Sequence, residues 1–500
     1  MTYSTGLRGA ACFAALVAGG AAQADVTAAQ VWDDWKAQLS LYGEDSVTIG
    51  SEKSTGDTVT VRDLALNVDD GTTQTAVNMG DITFSELGDG TVRVVMADSY
   101  PIAVTGDDGV VVTILVSQSN MDMVVSGDAD EMNYAISADH YTIELQDIVD
   151  GDITFTGDVS IVASDLSGSY TTSADELRYI SYGLNIGALD LLADIEVPDA
   201  DGQYVTASGK IEGMILEAEM TLPLDADFEN PNDLFANGFA VSGGYTIDSG
   251  AYVFDVNAEG ERVAGSVSTG AARLQGEMNR DMVAYEAETK NLAVNITTQA
   301  LPLPVEVGLE KYGVGFEMPV GKTDEPRDFG LRLDFTGLTV SDMIWDMLDA
   351  AKVLPRDPAT IQLDIAGTAR PMFDLLDPAQ AEALGRSDMP VELNTLTLNN
   401  IRIALAGALV TGQGAFTFDN TDMTTIEGMP RPQGDAIFEI IGVNALMDNL
   451  VSMGLLPQDQ VMGGRMMLGM FARVTGDDQL ETKLEVNGEG HVIVNGQRLR

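Results

Sequence analysis

Thr58-Val59-Thr60-Val61-Arg62-Asp63-Leu64-Ala65-Leu66 alternates polar and apolar side chains for most of its length, and that period of two decides the fold. Successive side chains of a strand point to opposite faces, so such a segment buries one face and wets the other. Tyr141-Thr142-Ile143-Glu144-Leu145 and Gly209-Lys210-Ile211-Glu212-Gly213-Met214 read the same way. Between such segments, from Val47 to about Val320, lie Asp69-Asp70-Gly71, Asp89-Gly90, Asp107-Asp108-Gly109 and Asp150-Gly151-Asp152. These are turn formers spaced for antiparallel hairpins. Connections that short leave no room for crossover helices and exclude a doubly wound α/β fold over most of this region. The expected fold is therefore mainly β: long antiparallel meandering sheets with a few amphipathic helices, one N-terminal and two or three in the C-terminal part.

Thr27 followed by Gln30 is a capping-box pattern, and Val31, Trp32, Trp35 and Leu39 recur at helical spacing until Gly43. This helix is expected to pack on the first sheet; a membrane-surface helix would want a basic polar face, and here Asp33 and Asp34 accompany Lys36. Leu301-Pro302-Leu303-Pro304 suggests a boundary between a region 25–300 and a region 301–500, because proline interrupts a ladder or confines it to an edge. Two similar units follow. Phe335 to Ser341 leads into Asp342 to Pro355, with Ile344, Met347, Leu348 and Ala351 on one face, and Phe438 to Gly442 leads into Val443 to Pro457. Each reads as strand, glycine, amphipathic helix and Leu-Pro stop. Ile401 to Val410, the most apolar later stretch, is broken by Arg402 and Gly407 and reads as a strand or strand pair. Gln479 to Val486 and His491 to Val494 form a closing hairpin, with Asn495-Gly496 as a further turn.

Residues 1–24 read as a cleavable export signal: a short lead with Arg8, an apolar run from Ala10 to Ala22, and the small-x-small site Ala22-Gln23-Ala24. The expected product is periplasmic, begins after Ala24 and carries no membrane-spanning segment. It also loses Cys12, the only cysteine, which excludes disulfides, thiolate metal sites and a cysteine nucleophile from the remainder. Lipidation of Cys12 is disfavoured because the apolar run continues past it. The chain holds 78 acidic against 26 basic residues, a net charge of −52. Nucleic acid is a poor partner for such a field, and the acids are dispersed in the manner of a solubilising surface.

The sequence presents no motif for catalysis, metal or cofactor. His140 lies in an alternating strand and His491 opens the last one, and nothing in the spacing supplies carboxylates to join them in a zinc site. The Asp-Gly clusters match neither an EF-hand loop nor a nonapeptide calcium repeat. No Gly-x-Ser-x-Gly elbow with a partner histidine occurs. A hydrolase built on two carboxylates distant in sequence is the enzymatic alternative. An outer-membrane β-barrel is the second, against which stand the thin aromatic girdles and the terminal Gln497-Arg498-Leu499-Arg500. Met462, Met466, Met467 and Met470 crowd one segment with Leu468 and Phe471. The expectation is a deformable core stripe, and the other reading is an apolar groove lined by the four methionines and Phe471.

Val31-Trp32-Asp33-Asp34-Trp35-Lys36, Met466-Met467-Leu468-Gly469-Met470-Phe471-Ala472-Arg473 and Val494-Asn495-Gly496-Gln497-Arg498 resemble a family of exported alphaproteobacterial proteins known only as a domain of unknown function. That resemblance implies no activity and no catalytic residue. More loosely, the strand-glycine-helix units and the terminal Val-Asn-Gly are similar to periplasmic proteins of the AsmA type, which implies a long sheet with a greasy inner face. The function expected is a non-catalytic envelope factor whose sheet offers a groove to a lipid or an apolar protein segment.

Overall fold

The computed structural model describes residues 25–499 apart from 41–42, 44–45, 152, 156, 197–201, 225, 227–230, 259, 302, 378–379 and 381–390. The leader, its cleavage point and Cys12 lie outside the described residues, as do Asp152 and Pro302.

Each described strand belongs to one antiparallel sheet. Chain order is also spatial order over most of it: Glu131–Asp150, Gly157–Ala174, Leu177–Glu196 and Tyr204–Pro223 pair in succession, as do Met282–Thr298, Val305–Pro319, Arg327–Val340, Ala359–Pro371, Val391–Leu405, Ala408–Asp419 and Arg431–Ile441. Between these two runs, some rows consist of two segments laid end to end. Ala240–Ile247 and Ser249–Ala258 together pair along Tyr204–Pro223, and Glu261–Thr269 and Ala272–Met278 lie against them. Met282–Thr298 and Val305–Pro319 pair directly, with Ile296 opposite Val305, on either side of the stretch that contains Pro302. Ile401 to Val410 is a strand pair, turned at Ala406 (φ 50°) and Gly407 (φ 84°). The first and last described strands do not pair with one another, and the sheet is open.

Helix α1, Ala28–Leu39, carries the predicted capping box: Thr27 N donates to Gln30 Oε1 at 2.9 Å, and Gln30 N donates to Thr27 Oγ1 at 3.3 Å. It lies on the strands Thr58–Asp69 and Thr73–Glu86, where Val31, Trp32, Val61, Ile82 and Phe84 are at most 1% exposed. Trp35 meets Phe84 edge-on at 5.4 Å. Helix α2 is Pro231–Ala236, α3 is Asp342–Leu348, α4 is Val443–Ser452 and α5 is Gln458–Phe471.

Both strand-to-helix units are present, but their glycines differ. Gly442 sits at the N-cap of α4 in the left-handed region (φ 73°), whereas α3 is preceded by Ser341 and Gly337 (φ 72°) belongs to the middle of a strand. Helix α3 is also shorter than expected. It stops at Leu348, where Asp349 folds back to accept from Val353 N and Leu354 N at 3.0 and 2.7 Å, and Ala351 falls outside it.

Candidate functional site: the apolar face of the sheet

The strands of 18 to 20 residues are too long to stay flat and in phase, and each is creased near its middle. Asp63, Asn120, Asp165 and Asn291 have φ of 51–53°, and Gly80, Gly213 and Gly337 have φ of 62–72°. A neighbouring strand answers several of them with a complementary residue: Gly50 beside Asp63, Gly187 beside Asp165, Asp248 beside Gly213, Gly270 beside Asn291 and Glu310 beside Gly337. Asn120 instead donates through Nδ2 to Asp139 Oδ2 at 2.6 Å. Asp and Asn tolerate the left-handed conformation, and glycine opposite leaves room for their side chains.

The crease sets the phase of the side chains. In Gly157–Ala174 one face carries Val159, Ile161 and Ala163, then, past Asp165, Leu166, Gly168, Tyr170 and Thr172. In Tyr204–Pro223 the same face carries Val205, Ala207 and Ile211, then, past Gly213, Met214, Leu216, Met220 and Leu222. A strict period of two would have thrown half of each strand onto the wrong face. The irregular residue holds one apolar face together from Gly157–Ala174 to Arg431–Ile441. Charged residues on this part of the face are confined to strand ends, at Arg178, Glu261 and Arg327. The opposite face bears Ser167, Ser169, Glu212, Glu217, Glu286, Lys311 and Asp334.

Coverage of the apolar face is uneven. Helix α1 seals its N-terminal end, and the rim of that seal is polar: Tyr134 Oη donates to Asp34 Oδ2 at 2.7 Å, and Tyr170 Oη donates to Gln38 Oε1 at 2.9 Å. Burial, aided by the Asp34 charge, pushes Tyr170 up to about 12 and Tyr134 higher still, so both stay protonated donors. Beyond Tyr170 the cover is sparser, although α4 touches the strand Ala408–Asp419 and Leu234 of α2 is buried. Phe316, Leu331, Ile361 and Tyr182 stand 39–47% exposed on this face. In a two-layer sandwich such positions would be interior.

The polar face is a cross-strand ladder. Lys311 Nζ lies 3.1 Å from Glu288 and 3.3 Å from Asp334, and Asp334 also accepts from Thr336 Oγ1 at 2.6 Å and Gln362 Nε2 at 3.2 Å. Burial opposes ionisation of both acids, but these donors outweigh it and hold them below the usual carboxylate range. Among the described residues the buried acids are Asp334, engaged in this ladder, and Asp349, engaged in the helix stop after α3. Two shallow hollows of about 340 and 460 Å³ open on the same face, both lined by Ser266 and Ser268. Among the described residues no group of three or more His, Cys, Asp or Glu could hold a metal ion.

His140 is exposed in its strand, 3.1 Å from Ser164 Oγ, and His491 sits in the final turn, 3.2 Å from Glu489. The structure keeps them in separate neighbourhoods. The methionine stripe is not core: Met462, Met466, Met467 and Met470 are 57–65% exposed and Phe471 38%. Only Val461, at 5%, is buried on α5, because the helix packs on α4 by its other side. At the end of α5, Phe471 O accepts from Thr482 Oγ1 at 3.1 Å, and Thr482 is the ladder partner of Phe438. The apolar face itself escaped residue-by-residue sequence reading, and its available signal was the Asp, Asn or Gly in mid-segment.

Residues 245–496, half of the chain, match the family described as an uncharacterized protein conserved in bacteria, DUF2125. The stretch Met466 to Arg473 lies within the match, and Val31 to Lys36 precedes it. No curated protein and no solved structure matches the chain, so the likeness to AsmA-type proteins gains no support from them.

Proposed function

The chain belongs to that bacterial family, DUF2125, and we propose that it is a non-catalytic lipid-binding protein of the cell envelope whose creased sheet takes acyl chains along its apolar face. The observation that carries this reading is the long apolar face, sealed by α1 at one end and half exposed beyond it. About a dozen strand rows at ~4.8 Å give a run of about 50 Å, several times the ~15 Å of one bilayer leaflet's hydrocarbon. Acyl chains suit this face better than a peptide. A peptide would bring backbone N–H and C=O groups that methyls and rings cannot satisfy, at several kcal/mol each, whereas an acyl chain has none. The acidic opposite face keeps such a carrier in solution. Export by the N-terminal signal would place it where envelope lipids pass.

Native mass spectrometry of the purified full-length protein, with solvent extraction and a fluorescent fatty-acid probe on the delipidated form, tests the reading. Extractable lipid and saturable probe binding are expected. A ligand-free protein that leaves the probe unquenched and unshifted overturns it.

A further inference from the structure

We propose that α3 and α5 form a docking edge that seats the protein on the hydrocarbon boundary of a lipid bilayer, at the end of the strands from which lipid would enter; this rests on the acyl-binding reading above. Helix α5 is apolar on both sides. Val461 is buried, and a Cβ on Gly464 would stand 3.6 Å from Met447 Sδ on α4, while Met462, Met466 and Met470 recur every four residues on the outer side with Met467 beside them. A helix without a polar face needs a second cover. Helix α3 adds Met347 and Leu348, 67% and 64% exposed.

Both helical units leave the same end of the sheet, α3 after Val340 and α4 after Ile441, and Asn449 Nδ2 of α4 donates to Val353 O behind α3 at 3.4 Å. Charge chooses the occupant. In a chain at −52, the segments 342–356 and 442–474 hold Asp342, Asp346, Asp349, Asp448 and Asp459 against Lys352, Arg356, Arg465 and Arg473, which is close to neutral. Arg356 is paired with Asp342 and Asp346, and Arg465 with Asp448 at 2.8 Å. Asp357, Asp477 and Asp478 lie just outside these bounds, but α5 from Gln460 to Ala472 holds no carboxylate to repel an anionic membrane. Flexible unbranched methionines also conform to a fluid surface, whereas a protein interface would usually present aromatic and arginine anchors.

The test is flotation of the full-length protein with phosphatidylethanolamine vesicles containing phosphatidylglycerol, run beside the fatty-acid probe assay. Replacing Met462, Met466 and Met470 together by Ser should lower the vesicle-bound fraction at least about tenfold and leave probe binding unchanged, while the triple Leu variant should float like the parent. A parent that binds the probe but does not float overturns the docking edge and leaves the acyl-binding reading standing. So does a Ser variant that floats like the parent. Concentration-dependent dimerisation abolished by the Ser variant also overturns it, since a second copy would then be the cover. A parent that binds no probe overturns the acyl-binding reading and this one with it.

Discussion

Asp165 and Gly187 face one another in the middle of neighbouring strands: Asp165 has φ 53°, and its Cβ lies 3.0 Å from where a Cβ on Gly187 would stand. The ladder passes over the pair, with Ser164 opposite Ala188 and Leu166 opposite Ile186. One skipped position on each strand keeps Ala163 and Leu166 on the same face. Repeated across the sheet, that correction makes the apolar surface continuous.

Gly213 tests the crease. It has φ 62°, and a Cβ there would run into the Asp248 carboxylate, whereas Gly71, in a turn at φ 83°, has open space around it. Gly71→Ala should lose only the backbone preference, about 1–2 kcal/mol, and Gly213→Ala should lose more because Asp248 must also move. Urea unfolding midpoints compare the two, and equal losses would remove the side-chain part of the argument.

Trp32 anchors the seal at the N-terminal end. At 1% exposure and 5.7 Å from the Phe84 ring, its replacement by Ala should cost about 3–5 kcal/mol. A loss under about 1 kcal/mol in denaturant unfolding would mean that α1 is not held by this residue.

The ladder around Lys311 predicts an acid limb. Glu288 and Asp334 have folded values below their unfolded ones, so their contribution is complete above the unfolded values near pH 4 and is lost as pH falls through the lower folded values. Lys311→Met should be less stable than the parent at pH 7 and should lose less between pH 5 and pH 3. Parallel curves for parent and variant, followed by thermal unfolding across that range, would remove Lys311 from the account.

Leu331 and Ser167 separate the two faces. Both are exposed, Leu331 on the apolar face and Ser167 on the polar one. Leu331→Glu should weaken fatty-acid probe binding several-fold, and Ser167→Glu should leave it unchanged, with circular dichroism confirming that both variants keep their strands. Equal effects would show that the apolar face does not hold the probe.

Elements whose causes are local were legible along the chain. Alternation marked the strands, Asp-Gly clusters marked the hairpin turns, and Thr27 with Gln30 marked the start of α1, because each depends on residues a few positions apart. Pairing decided the rest. The left-handed conformations of Asp165 and Gly213 follow from their neighbours across the sheet, Gly187 and Asp248, since a left-handed residue is tolerated in a strand only where the opposite chain leaves room. The exposure of Met462, Met466 and Met470 was likewise undetermined: an apolar stripe on a helix demands a cover, and only the tertiary structure shows that α4 supplies one for the opposite side of α5 alone.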